Sequence, residues 1–179
     1  MPSKIEQGEM MNITLKELVP GDAAELLSLQ HRLDEESSFM LLEPDERQTG
    51  LQQVTEMIKS FAKAETSILL GAVADGRLAG YLSVRGGSLR RNKHSAYIVI
   101  GILADYQGMG IGSGLFREME SWATGVGIVR LELTVMTHND RAVSLYTKRG
   151  FEIEGIKKKS LMVSGDWVDE YYMSRILSN

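Results

Sequence analysis

The sequence predicts a single domain, 1–179, of mixed α/β structure, and three observations lead to this class. The chain has 179 residues, 43% hydrophobic and 25% charged, which suits one domain with a substantial core. Pairs of neighbouring runs of alternating polarity predict hairpins towards both ends of the chain. Between them lies an apolar strand that is followed by a helix and another strand, which indicates a crossover. Residues 1–11 are polar, and we expect them to be flexible.

The N-terminal part predicts one strand and two helices. Residues 12–18 alternate well enough for a strand, which a Pro-Gly pair ends. Asp22 with Glu25 three residues later has the pattern of a capping box, which predicts a helix over about 22–33. A second helix is predicted over about 45–63, because four apolar residues there recur at helical spacing. These four are Leu51, Val54, Ile58 and Phe61.

The middle of the chain predicts a hairpin and a buried strand. Two apolar runs, 67–74 and 77–84, flank Asp75-Gly76, a dipeptide typical of a type I′ turn. A Gly-rich basic loop over 86–93 then leads to residues 94–103, which are nearly all apolar. Such a continuous run predicts a strand that is buried on both faces.

The C-terminal part predicts two helices and three strands. The helices cover about 110–124 and 140–149, and glycines that follow them mark their ends. A strand over 129–135 separates the two helices. Two final strands, about 151–159 and 167–176, are expected to pair across a turn that contains Ser-Gly-Asp.

Composition excludes several classes of function. The formal charge of −4 gives no overall attraction to nucleic acid or to an anionic membrane. The chain has no cysteine, which excludes thiolate nucleophiles, disulfides and Cys-ligated zinc, and fits a reducing compartment. No apolar run approaches the roughly 20 residues that span a bilayer, and the N-terminus lacks a signal-peptide pattern. We therefore expect a soluble, cytoplasmic protein. His31, His94 and His138 lack metal-ligand spacing, so no metal is expected.

The strongest local signal is Gln107-Gly-Met-Gly-Ile-Gly-Ser-Gly114, which directly follows the apolar strand and opens a helix. Glycines let a backbone approach a ligand closely, and the positive end of the helix dipole favours an anion. A diphosphate is the natural occupant. The spacing matches neither the dinucleotide fingerprint nor a P-loop, because Ser113 and Leu115 stand where the third glycine would be and no Gly-Lys-Ser/Thr follows. A glycine turn that only packs a helix on a sheet is the structural alternative.

Two motifs together resemble the GNAT superfamily of N-acetyltransferases. Residues 107–112 match its Q/R-x-x-G-x-G/A signature, and 139–151, from Asn139 to Phe151, resemble its N-x-x-A-x-x-L-Y-x-x-x-G-F pattern. The resemblance covers roughly 67–176, and the segments 150–155 and 165–173 are most similar to the ribosomal-protein and polyamine acetyltransferase branch. It implies a GNAT acyl-CoA N-acyltransferase fold, with a mixed, mostly antiparallel sheet flanked by helices. It also implies acetyl-CoA as cosubstrate.

The resemblance assigns roles to individual residues. Backbone amides in the glycine motif would bind the pyrophosphate, and the apolar strand would pair its backbone with the pantetheine arm. Asn139 would hydrogen-bond the cosubstrate. Tyr146 would lie beside the sulfur and act as general acid, because a phenol with a pKa near 10 keeps its proton at neutral pH and can donate it to the leaving thiolate. An ordinary core tyrosine is the alternative. The pyrophosphate residues are Gln107, Gly108, Met109, Gly110, Ile111, Gly112 and Ser113, and the pantetheine residues are Ile100, Ile102 and Leu103.

The general base is not identified by the sequence. The two strand positions where family members carry a Glu correspond to Ala96 and Thr134, so neither offers a carboxylate. Glu132 lies on the same strand face as Thr134 and is a possible substitute, but a solvated or ion-paired role fits it better. Deprotonation of the amine through water is therefore the default expectation.

Six acidic residues lie within 34–46 and have no Lys or Arg among them. In the family, the segment between the first two helices forms one wall of the acceptor site. Clustered carboxylates there would attract a cationic acceptor such as a polyamine or a basic N-terminus. A solvated, structurally neutral charge run is the alternative. The six are Asp34, Glu35, Glu36, Glu43, Asp45 and Glu46.

The sequence therefore predicts direct acetyl transfer from acetyl-CoA to a primary amine, either a small cationic amine or a protein N-terminus, in a ternary complex. Without cysteine, a Cys-dependent ping-pong route is excluded. The alternatives are a non-catalytic acyl-CoA-binding sensor module and an interaction protein that uses no cofactor. Homodimers are common in the family, but the sequence does not decide the oligomeric state or the acceptor.

Overall fold

The computed structural model describes residues 12–177, and the expectation for residues 1–11 lies outside this part. Within this part of the chain lie four α-helices: α1 (Ala23–Glu36), α2 (Leu51–Lys63), α3 (Ile111–Gly125) and α4 (Asp140–Lys148). The strands are β1 (Ile13–Glu17), β2 (Ser67–Ala74), β3 (Arg77–Gly86), β4 (Ser95–Ile102), β5 (Arg130–Met136), β6 (Glu152–Val163) and β7 (Asp166–Ile176).

The seven strands form one sheet in the order β1-β2-β3-β4-β5-β7-β6. Neighbouring strands are antiparallel except β4 and β5, which are parallel because α3 carries the chain across between them. The predicted mixed, mostly antiparallel sheet flanked by helices is therefore confirmed.

Hydrophobic clusters cover both faces of the sheet. On one face, α3 buries Leu115, Phe116 and Met119 against the strands. On the other, α1 and α2 pack residues such as Leu29 and Ile58 against β2 and β3. None of the helices within 12–177 combines the length and the apolarity that crossing a membrane requires.

The hairpin between β2 and β3 turns at the predicted dipeptide. Asp75 and Gly76 have φ angles of 48° and 81°, and a type I′ turn requires positive φ at both central residues. The Asp-Gly pair therefore specifies this turn locally, as expected.

The capping box predicted for Asp22 and Glu25 is wrong. Asp22 instead accepts hydrogen bonds from the Val19 N–H at 2.9 Å and from Lys16 Nζ at 2.8 Å. Residues Pro20–Asp22 form a short 3-10 turn before α1. This turn directs the carboxylate back towards the preceding chain and away from the first turn of α1.

The second helix begins later than the apolar spacing predicts. It starts at Leu51, where the N–H of Gly50 donates to Gln53 Oε1 at 2.6 Å. A separate turn is closed by the Glu46 N–H and the Glu43 carbonyl, and the Arg47 side chain reaches back to α1. These contacts hold residues 43–50 in an irregular path, so the helix cannot extend to residue 45.

The prediction that the apolar strand is buried on both faces is wrong. Along β4, Ala96 and Ile98 are buried, whereas Tyr97 and Val99 are each 40% exposed. The two exposed side chains line a cavity, described below, that the sequence does not reveal.

Candidate active site

The strands β4 and β5 pair only at their first residues and then separate. Residues 95–97 pair with 130–132. Beyond them β4 continues to Ile102 and β5 to Met136 without pairing with each other. The wedge between the two strands opens into a space of about 660 Å³, which we call the cleft. Because paired strands normally leave no such space, this separation creates the candidate site.

Backbone groups of β4 point into the cleft. The Leu103 N–H donates to the Ala79 carbonyl at 2.9 Å, at the end of the β3–β4 ladder. Antiparallel pairs alternate between bonded and non-bonded, so the even-numbered residues of β4 direct their N–H and C=O away from β3. Ile100 and Ile102 are in this set, and both line the cleft.

Leu103 and Gln107 use their polar groups differently. Leu103 is fully enclosed, its N–H bonds Ala79, and its carbonyl accepts from the Tyr106 N–H at 3.0 Å. Both backbone groups of Leu103 thus have partners within the protein, and its contact with the pantetheine arm stays a prediction. The Gln107 side chain lines the cleft and donates to the Ile102 carbonyl at 3.0 Å.

The first two glycines of the motif stand open to their surroundings. Gly108 and Gly110 have φ angles of 79° and 82°, and a Cβ added at either would meet no heavy atom within 4 Å. At Gly112 an added Cβ would lie 3.1 Å from the Leu145 side chain. The first two glycines thus leave room for a ligand, whereas Gly112 permits close packing between α3 and α4.

The N-terminus of α3 presents unpaired donors next to this open backbone. The first internal bond of the helix runs from the Gly114 N–H to the Gly110 carbonyl at 2.9 Å. The N–H groups before it, those of Ile111, Gly112 and Ser113, therefore lie outside the helical ladder. Met109 is exposed beside them. Free donors, room and the helix dipole together fit a diphosphate.

Tyr146 lies on α4 and reaches the cleft from within the core. The residue is 7% exposed, and its ring packs against those of Phe116 and Phe151, with ring centroids 5.9 Å apart in each pair. Burial, and to a lesser extent the neighbouring Tyr97, raises the pKa of Tyr146 well above its usual value. The phenol is therefore protonated throughout the neutral range.

Asn139 caps α4 and also lines the cleft. Its Oδ1 accepts a hydrogen bond from the Ala142 N–H at 3.2 Å, which is the N-cap interaction that Asn favours. The same residue therefore fixes the start of the helix that carries Tyr146. This structural role adds to the one that the sequence motif implies.

Tyr97 bridges the two strands where they begin to separate. Its hydroxyl lies 2.8 Å from Thr134 Oγ1 and accepts a hydrogen bond from the Thr134 N–H at 3.3 Å. The contact joins the last paired position of β4 to β5. Both residues line the cleft.

The acidic segment contributes less negative charge to the cleft than its sequence suggests. Of its six carboxylates only Asp34 lines the cleft, and both of its oxygens bond the guanidinium of Arg47. Glu36 accepts from the Ala104 N–H at 2.7 Å and Glu46 from the Glu43 N–H. The side that faces the cleft is mainly apolar, and it comprises Phe39, Met40, Leu41 and Leu42.

Glu132 is ion-paired, as the sequence favoured. It accepts from Arg130 Nε at 2.8 Å, and Arg130 also forms two hydrogen bonds with Glu154. Glu132 lines a separate cavity of about 340 Å³ and does not line the cleft. Ala96 is enclosed in the core. Neither position supplies a carboxylate to the cleft.

Sequence reasoning missed seven polar residues that line the cleft: Gln30, Ser37, Arg47, Tyr81, Tyr97, Arg141 and Glu170. Alternation along β4 could have placed Tyr97 on the strand face opposite Ala96 and Ile98. Nothing in the sequence fixes the register of β7 on β5, which puts Glu170 beside Met136. Within residues 12–177, no three His, Asp or Glu side chains come together as a metal site.

Comparison with known proteins places the chain in a family. Residues 27–151 match the family model described as Acetyltransferase (GNAT) family. The chain is 38% identical over 108 residues to the L-amino acid N-acetyltransferase AaaT of Escherichia coli. The aligned segment covers 60% of this chain and 67% of the relative. The chain is also 41% identical over 108 residues to the N-alpha-acetyltransferase RimI of Mycobacterium tuberculosis, covering 59% and 64%. The chain thus spans about two thirds of the length of these relatives.

The whole fold is also shared. A GNAT-family acetyltransferase of Streptococcus pneumoniae has a TM-score of 0.89 at 32% identity, over 93% of this chain and 100% of that one. The family model covers more than half of the chain and includes both the glycine motif and α4. The chain therefore belongs to the GNAT family of acetyltransferases.

Proposed function

We propose that this chain transfers acetyl from acetyl-CoA directly to a primary amine in a ternary complex. The observation that carries this proposal is the separation of β4 and β5. It opens a cleft with free backbone groups along one side, the glycine loop nearby and the phenol of Tyr146 within. A chain of this family needs such a cleft, because donor and acceptor must meet inside it.

The donor is acetyl-CoA, which supplies an activated acetyl thioester. Its diphosphate would be held by N–H groups of the glycine loop and of the first turn of α3. Ile100 and Ile102 would offer backbone groups to the pantetheine arm, and Asn139 would offer its side-chain amide. The loop residues are Gln107, Gly108, Met109, Gly110, Ile111, Gly112 and Ser113.

Tyr146 acts as the general acid in this proposal. Its raised pKa keeps the phenol protonated, and a leaving thiolate with an ordinary thiol pKa near 8.5 needs a proton at neutral pH. The aromatic packing around Tyr146 holds the ring in place, so its hydroxyl is positioned before the substrates bind. Because the chain has no cysteine, no Cys-linked acetyl-enzyme can form.

The acceptor is proposed to be the amine of an amino acid, a peptide N-terminus or a small cationic amine. The first two classes are supported by the relatives, which are named for L-amino acids and for N-alpha-acetylation. The apolar wall from Phe39 to Leu42 suits an acceptor with an apolar part next to its amine. The neutral Asp34–Arg47 pair gives little preference for a polycation.

The test measures CoA release by the purified chain across a panel of L-amino acids, peptides with ribosomal-protein N-termini, and polyamines. Tyr146→Phe is compared with Tyr172→Phe, which removes a phenol hydroxyl from an exposed residue that does not line the cleft. We expect Tyr146→Phe to lower kcat by about 10²- to 10⁴-fold with unchanged acetyl-CoA affinity. Tyr172→Phe should be nearly unaffected.

Two results would contradict the proposal. If no amine is acetylated although acetyl-CoA raises the melting temperature, the chain is an acyl-CoA sensor instead. If Tyr146→Phe turns over as fast as the unaltered chain, the general acid is another group.

A further inference from the structure

Glu170 is a buried carboxylate that lines the cleft. It lies on β7 opposite Met136 of β5, and the residue is only 8% exposed. It shares its strand face with Tyr172 and Ser174, and Thr134 of β5 lies across from Tyr172. Glu170 therefore belongs to the face of the sheet that Tyr97 and Thr134 also occupy.

One oxygen of Glu170 is bonded and the other is open. Oε2 accepts from Ser160 Oγ at 2.8 Å and from Lys157 Nζ at 3.4 Å. Oε1 makes no hydrogen bond to any residue within 12–177. In the same part of the chain no fully enclosed side-chain oxygen or nitrogen lacks a partner, so Oε1 is not enclosed. Glu170 also lines the cleft, so a ligand held there can approach this carboxylate.

A bulge in β6 holds the carboxylate in this orientation. The β6–β7 register shifts between Lys157 and Leu161, and Lys159 has a φ of 48°. Asp169 supports the bulge, because it accepts from the Lys159 N–H at 2.7 Å and from Lys158 Nζ at 2.8 Å. Bulges beside active sites commonly redirect side chains. Here the bulge brings Ser160 onto Glu170.

The other charged groups of the cleft are arranged differently. Asp34 uses both oxygens for Arg47, and Arg141 of α4 is an exposed cation at the cleft. The remaining titratable side chains that line it are the phenols of Tyr81, Tyr97 and Tyr146. Facing Glu170 from β6, Lys157 stands at 3.4 Å and half exposed, so it compensates the carboxylate only in part. Among the described residues of the cleft, Glu170 is thus the carboxylate with an oxygen left for a ligand.

We propose that Glu170 binds the ammonium group of the acceptor and takes its proton before attack. This inference rests on the proposed function and names the base that the sequence did not identify. An open carboxylate oxygen in a desolvated pocket forms a charge-assisted hydrogen bond with an ammonium, and the bond aligns a proton for transfer.

The proton balance is complete with these groups. The ammonium gives one proton to Glu170, which passes it to solvent. The neutral amine then forms the C–N bond and the C–S bond breaks. Tyr146 gives its proton to the sulfur, and the second proton leaving nitrogen passes through solvent to restore the phenol. The products are the amide, the thiol and one released proton.

The experiment compares Glu170→Gln with Glu132→Gln across a pH series. Glu132→Gln is the matched control, because it removes a carboxylate from the same sheet face but outside the cleft. With an α-amine acceptor we expect Glu170→Gln to lower kcat/KM at pH 7 by about 10²-fold or more, while acetyl-CoA affinity stays within about twofold. The deficit should shrink about tenfold between pH 7 and pH 9, because an amine with a pKa near 8 loses its own proton there.

The outcomes separate this inference from the proposed function. If the unaltered chain acetylates no amine, the proposed function itself is overturned. Normal turnover in Glu170→Gln, or a loss of equal size at every pH, overturns only the role of Glu170. Melting curves report folding, and Glu170→Asp serves as the second variant if the amide variant unfolds. That variant keeps the charge but shortens the side chain by one methylene, so its kcat/KM deficit should also shrink as the pH rises. A deficit of equal size at every pH would contradict the base role.

Discussion

Replacing Gly110 by Ala tests whether the glycine loop holds a diphosphate. Gly110 has a φ of 82°, and a Cβ there would meet nothing within 4 Å. The substitution therefore strains the backbone without a clash inside the protein. An L-residue in this region costs about 1–2 kcal/mol. For a chain of this size, such a loss lowers the melting temperature by about 2–8 °C.

Gly165 provides a matched control at the other end of the molecule. It has a φ of 87° in the turn between β6 and β7, and a Cβ there would also meet nothing within 4 Å. Gly165→Ala should therefore cost about the same stability as Gly110→Ala. Any difference between the two variants in acetyl-CoA binding reports the loop itself and not general destabilisation.

The expected effect on binding follows from the N–H donors that the new methyl group would keep the diphosphate from reaching. If the Cβ keeps the diphosphate from one charge-assisted hydrogen bond, the loss is about 1.5–3 kcal/mol, or roughly 10- to 150-fold in affinity. Isothermal titration with acetyl-CoA measures it directly. Equal affinities in Gly110→Ala and Gly165→Ala, with equal melting temperatures, would refute the assignment of this loop to the diphosphate.

Three further predictions concern charge. Asp34→Asn leaves Arg47 without its counter-charge in a buried setting, and we expect about 3–5 kcal/mol lower stability in urea unfolding, with a loss below about 1 kcal/mol contradicting this. Arg130 lowers the pKa of Glu154 to about 2 from 4.5, so the pair stabilises the fold above about pH 4.5 and the effect fades towards pH 2. The stability gap between the unaltered chain and Glu154→Gln should accordingly shrink below pH 4.5, and a constant gap would disprove the pairing. Because burial raises the pKa of Tyr146, kcat should not fall between about pH 8 and pH 10 through loss of its proton. A decline there that Tyr146→Phe abolishes would contradict this reasoning.

Local chemistry in the sequence predicts several features correctly. Asp75-Gly76 specifies the hairpin turn because both positions need positive φ, and Gly110 marks the start of α3 for the same reason. The two motifs also resemble those of the family that the comparisons confirm. These features depend on residues close together in the chain, and so a sequence can encode them visibly.

Only the tertiary structure decides which residues outside the two motifs line the cleft. Arg47 neutralises Asp34 because an irregular segment returns to α1, and that contact changes the meaning of an acidic run. Glu170 enters the cleft through the register of β7 on β5 and the bulge in β6. A shift of one residue would turn it to the opposite face. Strand alternation is local, but register and strand separation are set by packing across the whole sheet. The sequence therefore reveals the glycine motif and the motif of α4, whereas only the structure reveals that Glu170 lines the cleft.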